Sequence, residues 1–166
     1  MIHMILGNTG AGKTTYALAL KKEVAGVIFS VDHWNNTLFM ADKQSVDGVN
    51  WFLERIARGD TMIRSLVKQL EEAGVDSILD LGFAKRDRRE VFYAFAKANT
   101  FNYQLHFLDI TKEIRRERVV QRNSKKGDTF QFEVSSADFE FMETWFERPA
   151  AKELVGAQII TDRCKK

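Results

Sequence analysis

The apolar residues of the chain cluster in two alternating ways. Five short β-rich runs, Ile2 to Leu6, Val27 to Val31, Ser77 to Leu81, Tyr103 to Asp109 and Gln158 to Thr161, read as strands. Between them, apolar residues recur every three or four positions. That period predicts helices over Lys13 to Glu23, Val49 to Ala57, Thr61 to Ala73, Lys85 to Ala98, Lys112 to Arg122 and Ser136 to Glu147. Gly59-Asp60 reads as the break between the second and third of these. Gly74 reads as a stop after Ala73, and Ser135 or Ser136 as the N-cap of the last. His33 to Gly48 is mixed and reads as loop or short helix. Asn123 to Val134 has loop composition around Gly127-Asp128.

Strands that alternate with helices predict a parallel sheet covered on both faces, with right-handed crossovers. Ligands of such sheets bind beyond the carboxyl ends of the strands. Three polar signals fall at that rim: Gly7 to Thr14 after the first strand, Asp32 after the second, and Asp80 near the end of the third. His3, inside the first strand, is expected to be a core or strand-face histidine.

Gly7-Asn8-Thr9-Gly10-Ala11-Gly12-Lys13-Thr14 matches the phosphate-binding pattern G-x-x-x-x-G-K-[ST], between a strand and a helix as that pattern requires. Glycines let successive N–H groups turn into one concavity, and the helix adds its positive end. Lys13 is placed to reach the β and γ phosphates and the Thr14 hydroxyl to hold Mg²⁺, with Thr15 next in the same turn. Asp80 is the expected partner of the metal. Asp32, across the cleft, is the candidate base that accepts the proton of an attacking hydroxyl. Arg115, Arg118 and Arg122 share one helical face. From Lys112 to Lys126 there are seven Lys or Arg and two Glu. This segment predicts a basic lid, about 115–135, in which Arg118, Arg122 and Lys126 approach phosphate, with Arg122 stabilising transferred charge. Residues from about 33 to 73 are expected to bind the acceptor.

Composition changes this picture little. The 166 residues are 45% hydrophobic and 29% charged, with net charge +2, which suits one soluble domain over 1–166 and does not argue for nucleic acid. A lone cysteine, Cys164, forms no internal disulfide and fits a reducing compartment. With no membrane-length apolar run and a start that leads straight into a strand, the expectation is a cytoplasmic protein.

The chain resembles the small P-loop kinases related to polynucleotide 5′-hydroxyl kinase, among them AAA-type proteins called predicted kinases or ATP-binding proteins. The resemblance runs from about Ile2 to Pro149. It rests on Gly7 to Thr14, Ser30-Val31-Asp32, Ile78-Leu79-Asp80-Leu81-Gly82-Phe83 with Arg88-Arg89, Arg122-Asn123-Ser124-Lys125-Lys126-Gly127, and Phe146-Glu147-Arg148-Pro149. It implies a nucleoside-monophosphate-kinase-like three-layer α/β/α fold with five parallel strands, and ATP with Mg²⁺. It also implies Asp32 as general base and Arg122 and Lys126 on the ATP phosphates. Where polynucleotide kinases carry an Arg shortly after the base, His33, Trp34 and Asn35 follow Asp32. Lys126 stands where the lid often has Arg, and offers a point charge without a guanidinium fork. The favoured expectation is therefore a kinase that phosphorylates a hydroxyl of a small molecule. A polynucleotide 5′-hydroxyl kinase and a regulatory NTPase are the alternatives.

Overall fold

The computed structural model describes residues 1–127 and 130–162; Asp128 of the expected loop and Cys164 lie outside them. Five strands, β1 (Ile2–Leu6), β2 (Val27–Ser30), β3 (Ser77–Asp80), β4 (Tyr103–Asp109) and β5 (Gln158–Thr161), form one sheet in the order β2-β3-β1-β4-β5. Every pairing is parallel. Six helices connect and extend them: α1 (Lys13–Val24), α2 (Val31–Leu38), α3 (Val49–Glu72), α4 (Arg86–Ala98), α5 (Lys112–Lys125) and α6 (Ser136–Trp145). This is the expected α/β fold.

The strands are apolar on both sides because both faces are covered. Ile2, Met4 and Leu6 of β1 join Leu79 and Phe107 in one core cluster with Ile63 and Val67 of α3 and Phe92 and Ala96 of α4. Ile5 joins Ile78 and Leu108 in a second cluster with Ala17 and Leu20 of α1. Adjacent residues of a strand thus point to opposite layers. Because every strand runs the same way, their carboxyl ends share one rim, and the chain leaves that rim at Gly7, Val31 and Leu81.

Three local expectations need correction. The helices predicted on either side of Gly59-Asp60 are one helix, α3. No Cβ conflict or turn breaks it at Gly59, and Asp60 is buried on the same stripe as Ile63 and Val67 because Arg88 neutralises it. The second strand stops at Ser30, whose hydroxyl accepts the His33 N–H at 3.4 Å and caps α2. Asp32 therefore lies in the first turn of a helix. Finally, α5 continues to Lys125, three residues past the predicted end. The predicted cap at Ser135 is present: its hydroxyl accepts the Asp138 N–H, and Asp138 reciprocates with the Ser135 N–H.

Buried polar groups are answered by partners. Arg89 is fully enclosed; it forms a paired contact with Glu153 at 2.7 and 3.1 Å and donates to the carbonyls of Phe83 and Glu147. On the α1 side, His3 is a core residue, as expected. Its Nε2 lies 3.1 Å from Asp76, its Nδ1 3.0 Å from His106 Nε2, and His106 Nδ1 2.8 Å from the Tyr16 hydroxyl. The Asp76 carboxylate only accepts, so one proton order satisfies every contact of the chain: Tyr16 donates to His106, His106 to His3, and His3 to Asp76. Burial first, then the neighbouring His3, pushes the His106 pKa from 6.5 to about 4.

Two outcomes follow from these networks. Arg89→Met leaves Glu153 without its cation and costs about 3–5 kcal/mol of stability in urea unfolding. Between 6.5 and about 4 the unfolded chain binds a proton at His106 that the folded chain refuses, so stability falls as pH drops through that window. Thermal melts across this range show the slope, and His106→Gln flattens it.

Candidate functional site

The loop after β1 is shaped by two glycines with φ in the left-handed region. Gly10 has φ +79°, and a Cβ there would meet the Arg115 carbonyl oxygen at 2.4 Å; Gly12 has φ +92° and opens α1. The Ala11 N–H closes the turn on the Asn8 carbonyl at 3.1 Å. No side chain caps α1, so its leading N–H groups, from Lys13 through Thr14 and Thr15, meet the cleft without a side-chain acceptor. Such an end is built for an anion.

Around it the structure gathers most of the residues singled out from the sequence. The Thr14 hydroxyl donates to Asp80 Oδ2 at 2.7 Å, joining the loop to the end of β3. Lys13 Nζ donates to the Asn8 carbonyl at 3.3 Å. Desolvation lowers the Lys13 pKa; Asp80 and Asp32 oppose that, while Arg122 and Arg115 add to it. Asp32 is solvent-exposed in the first turn of α2, with protein gathered around it. The desolvation this causes raises its pKa above the usual carboxylate value, with Asp80 adding and Lys13, Arg122 and Arg88 opposing. None of these acts through a hydrogen bond: among the described residues the Asp32 carboxylate has no hydrogen-bonded partner. Arg122 is lowered by desolvation against the pull of Asp32, and its Nε is buried with no acceptor.

The other lid residues sit differently. Arg118 donates to the Ala11 carbonyl at 3.0 Å, so in this structure it holds the outside of the loop. Lys126 is exposed at the end of α5, its Nζ 5.7 Å from the centre of the Phe130 ring. At the neck of the predicted lid, the Asn123 side chain donates to the Val134 carbonyl at 2.7 Å and accepts its N–H at 3.2 Å.

Two parts of the cleft escaped the sequence reading. Arg88, known only as part of a motif, pairs with Asp60 through Nε at 2.8 Å and through its second amine at 2.6 Å, and its third arm meets the Leu81 carbonyl. The signal was an acid in register with the Ile63 and Val67 stripe, three positions before Ile63, which asks for a buried cation. Asn36 of α2 donates to the Gln131 carbonyl at 2.9 Å, linking the helix of Asp32 to the lid. Nothing in the sequence pairs those two positions. Within the predicted acceptor region, Trp34 packs edge-on to Phe29, and Arg55 lies 3.7 Å from the Trp51 ring centre.

The residues fit ATP with Mg²⁺. Positive φ at Gly10 and Gly12, the uncapped start of α1, Lys13 and the unanswered Arg122 Nε are of the kind a phosphate cradle requires. Mg²⁺ keeps several of its waters and needs few protein oxygens, which Thr14 and Asp80, joined to each other here, could supply. Among the described residues no three metal-ligating side chains group into a closed cage, and none is required.

A strand-loop-helix phosphate cradle at the rim of a sheet ordered 2-3-1-4-5 defines a P-loop protein of kinase-like fold. A family model described as an AAA domain matches residues 2–149, and the chain belongs to that family. A search of curated proteins finds no significant match. Among solved structures, the chain is similar to Kti12 of Chaetomium thermophilum in complex with ADP-AlF3 (TM-score 0.69, 17% identity, 97% of this chain and 88% of that one). It is similar to the Mycobacterium tuberculosis APS kinase in complex with AMPPNP and APS (0.68, 12%, 99% and 89%). It is also similar to an unliganded sugar kinase from Janibacter (0.64, 18%, 96% and 83%). At these identities the likeness is one of fold. No helix among the described residues is long and apolar enough to cross a membrane.

Gly10→Ala forces a Cβ into the Arg115 carbonyl at a positive φ. It is expected to weaken nucleotide binding about tenfold or more, measured by titration calorimetry with ATP and Mg²⁺.

Proposed function

We propose that the protein is an ATP-dependent phosphotransferase that moves the γ-phosphate to a hydroxyl of a small molecule. The observation that carries the reading is the placement of Asp32. It is a carboxylate without a hydrogen-bonded partner among the described residues, in the first turn of α2, within the field of Lys13 and Arg122 and across from the glycine loop. A carboxylate kept free and raised in pKa beside a phosphate cradle suits the task of taking a proton from an incoming hydroxyl.

The chain's own residues divide the work. The N–H groups at the start of α1 and the Lys13 ammonium hold phosphate oxygens. Thr14 and Asp80 would hold a magnesium ion, which would supply positive charge to neutralise the phosphates. Arg122, with its unanswered Nε, offers a donor to the oxygens that gain charge during transfer. Asp32 orients the acceptor hydroxyl and receives its proton. Arg88, neutralised by Asp60, braces the end of β3 on the acceptor side. The lid contact between Gln131 and Asn36 encloses the space between base and phosphate. Support for a small acceptor comes from the fold shared with an APS kinase and a sugar kinase, and from the absence of an Arg shortly after Asp32.

Transfer from γ-labelled ATP into a panel of sugars, nucleosides and 5′-hydroxyl oligonucleotides tests this reading. Asp32→Asn is expected to lower transfer by about 10²–10⁴-fold while ATP affinity stays within a few-fold of wild type. The acid limb of the transfer rate should lie above the ordinary carboxylate range, because the protonated Asp32 cannot act as base, and should vanish in Asp32→Asn. Undiminished transfer in that variant rules Asp32 out. ATP turnover that rises with a protein partner and with no hydroxyl compound identifies a regulatory NTPase instead.

A further inference from the structure

A glycine loop accepts phosphate only if its N–H groups face inward, and each such peptide then turns its carbonyl outward, where it needs a donor. The outer side of this loop is supplied with donors. The Thr9 carbonyl accepts from Arg115 at 3.1 Å and the Ala11 carbonyl from Arg118 at 3.0 Å. Arg115 also donates through Nε to the Ile110 carbonyl at 3.0 Å, so it joins β4's end, α5 and the loop.

What holds Arg115 in turn is Glu143 of α6. Its two oxygens accept from the two terminal nitrogens of Arg115 at 2.6 and 2.8 Å. The same carboxylate accepts from Asn8 Nδ2 at 2.6 Å. Since a carboxylate cannot donate, this fixes which end of the Asn8 amide faces it, and Asn8 Oδ1 is left to accept the Thr9 N–H at 2.7 Å. Asn8 and Arg115 are both buried, and the Glu143 side chain is 19% exposed.

We propose that Glu143 is a positioning residue for nucleotide binding: through Asn8 and Arg115 it sets the first turn of the glycine loop, from a helix that begins only after the lid. The proposal rests on the reading of this loop as a nucleotide site. It gives Asn8 and Arg115 the role of intermediaries, and it makes the phosphate cradle depend on the correct seating of α6.

ATP affinity in the presence of Mg²⁺, measured by calorimetry on protein shown by circular dichroism to be folded at the titration temperature, tests the link. Asn8→Ala and Glu143→Gln are each expected to weaken binding about tenfold or more. The double variant should lose little beyond the weaker binder of the two, because both changes break one connection. A merely structural Glu143 would lower the melting temperature but give losses that multiply with those of Asn8→Ala, and that result overturns the proposal. Wild-type affinity in folded Glu143→Gln overturns it as well. If Glu143→Gln fails to fold, wild-type affinity in folded Asn8→Ala does the same. Lys13→Ala separates this outcome from failure of the underlying reading: if it binds ATP as wild type does, the loop is not the nucleotide site.

Discussion

The closest constraint in the molecule is the approach of Gly10 to the backbone of Arg115, where even a methyl group would stand 2.4 Å from a carbonyl oxygen. The loop lies directly on α5. That contact brings three turns of one helical face to different tasks. Arg115 supports the loop from outside, Arg118 holds its far carbonyl, and Arg122, a turn further along, reaches the cleft itself. Had the loop been set back from α5 to accommodate a side chain, all three arginines would lose their register together.

The cleft joins this cationic helix to two acids from the other half of the sheet. Asp80 is tied to Thr14, whereas Asp32 is not tied to anything by a hydrogen bond among the described residues. Asp80 adds to the cost of ionising Asp32, and Lys13 and Arg122 offset it. The balance concentrates four charged groups in a small volume without pairing them off, an arrangement that a purely structural network, such as Arg89 with Glu153, avoids. Perturbed groups of this kind collect where chemistry is done.

Much of the architecture was legible because its signals are local. Short apolar runs gave the strands within a residue or so, and the glycine pattern located the cradle. The rule that ligands bind beyond the carboxyl ends placed Asp32 and Asp80 on the same rim before any coordinates. What could not be read was long-range pairing. Asp60 beside Gly59 has the local look of a helix break, and only Arg88, arriving from α4, makes it a buried helical residue. Arg118 shares a face with Arg122, but one turn decides whether a guanidinium meets a carbonyl or a cleft. Glu143 carries no motif at all; its role depends on α6 returning to the loop from beyond the lid.

The neck formed by Asn123 and Val134 has a consequence for how α5 is joined to α6. Two hydrogen bonds to one side-chain amide mimic a rung of a sheet and fix the ends of the intervening segment beside each other. Loop closure depends only slowly on length once the ends are fixed. The junction between α5 and the stretch before α6 is therefore held by one side-chain amide, whatever the length of chain that it closes.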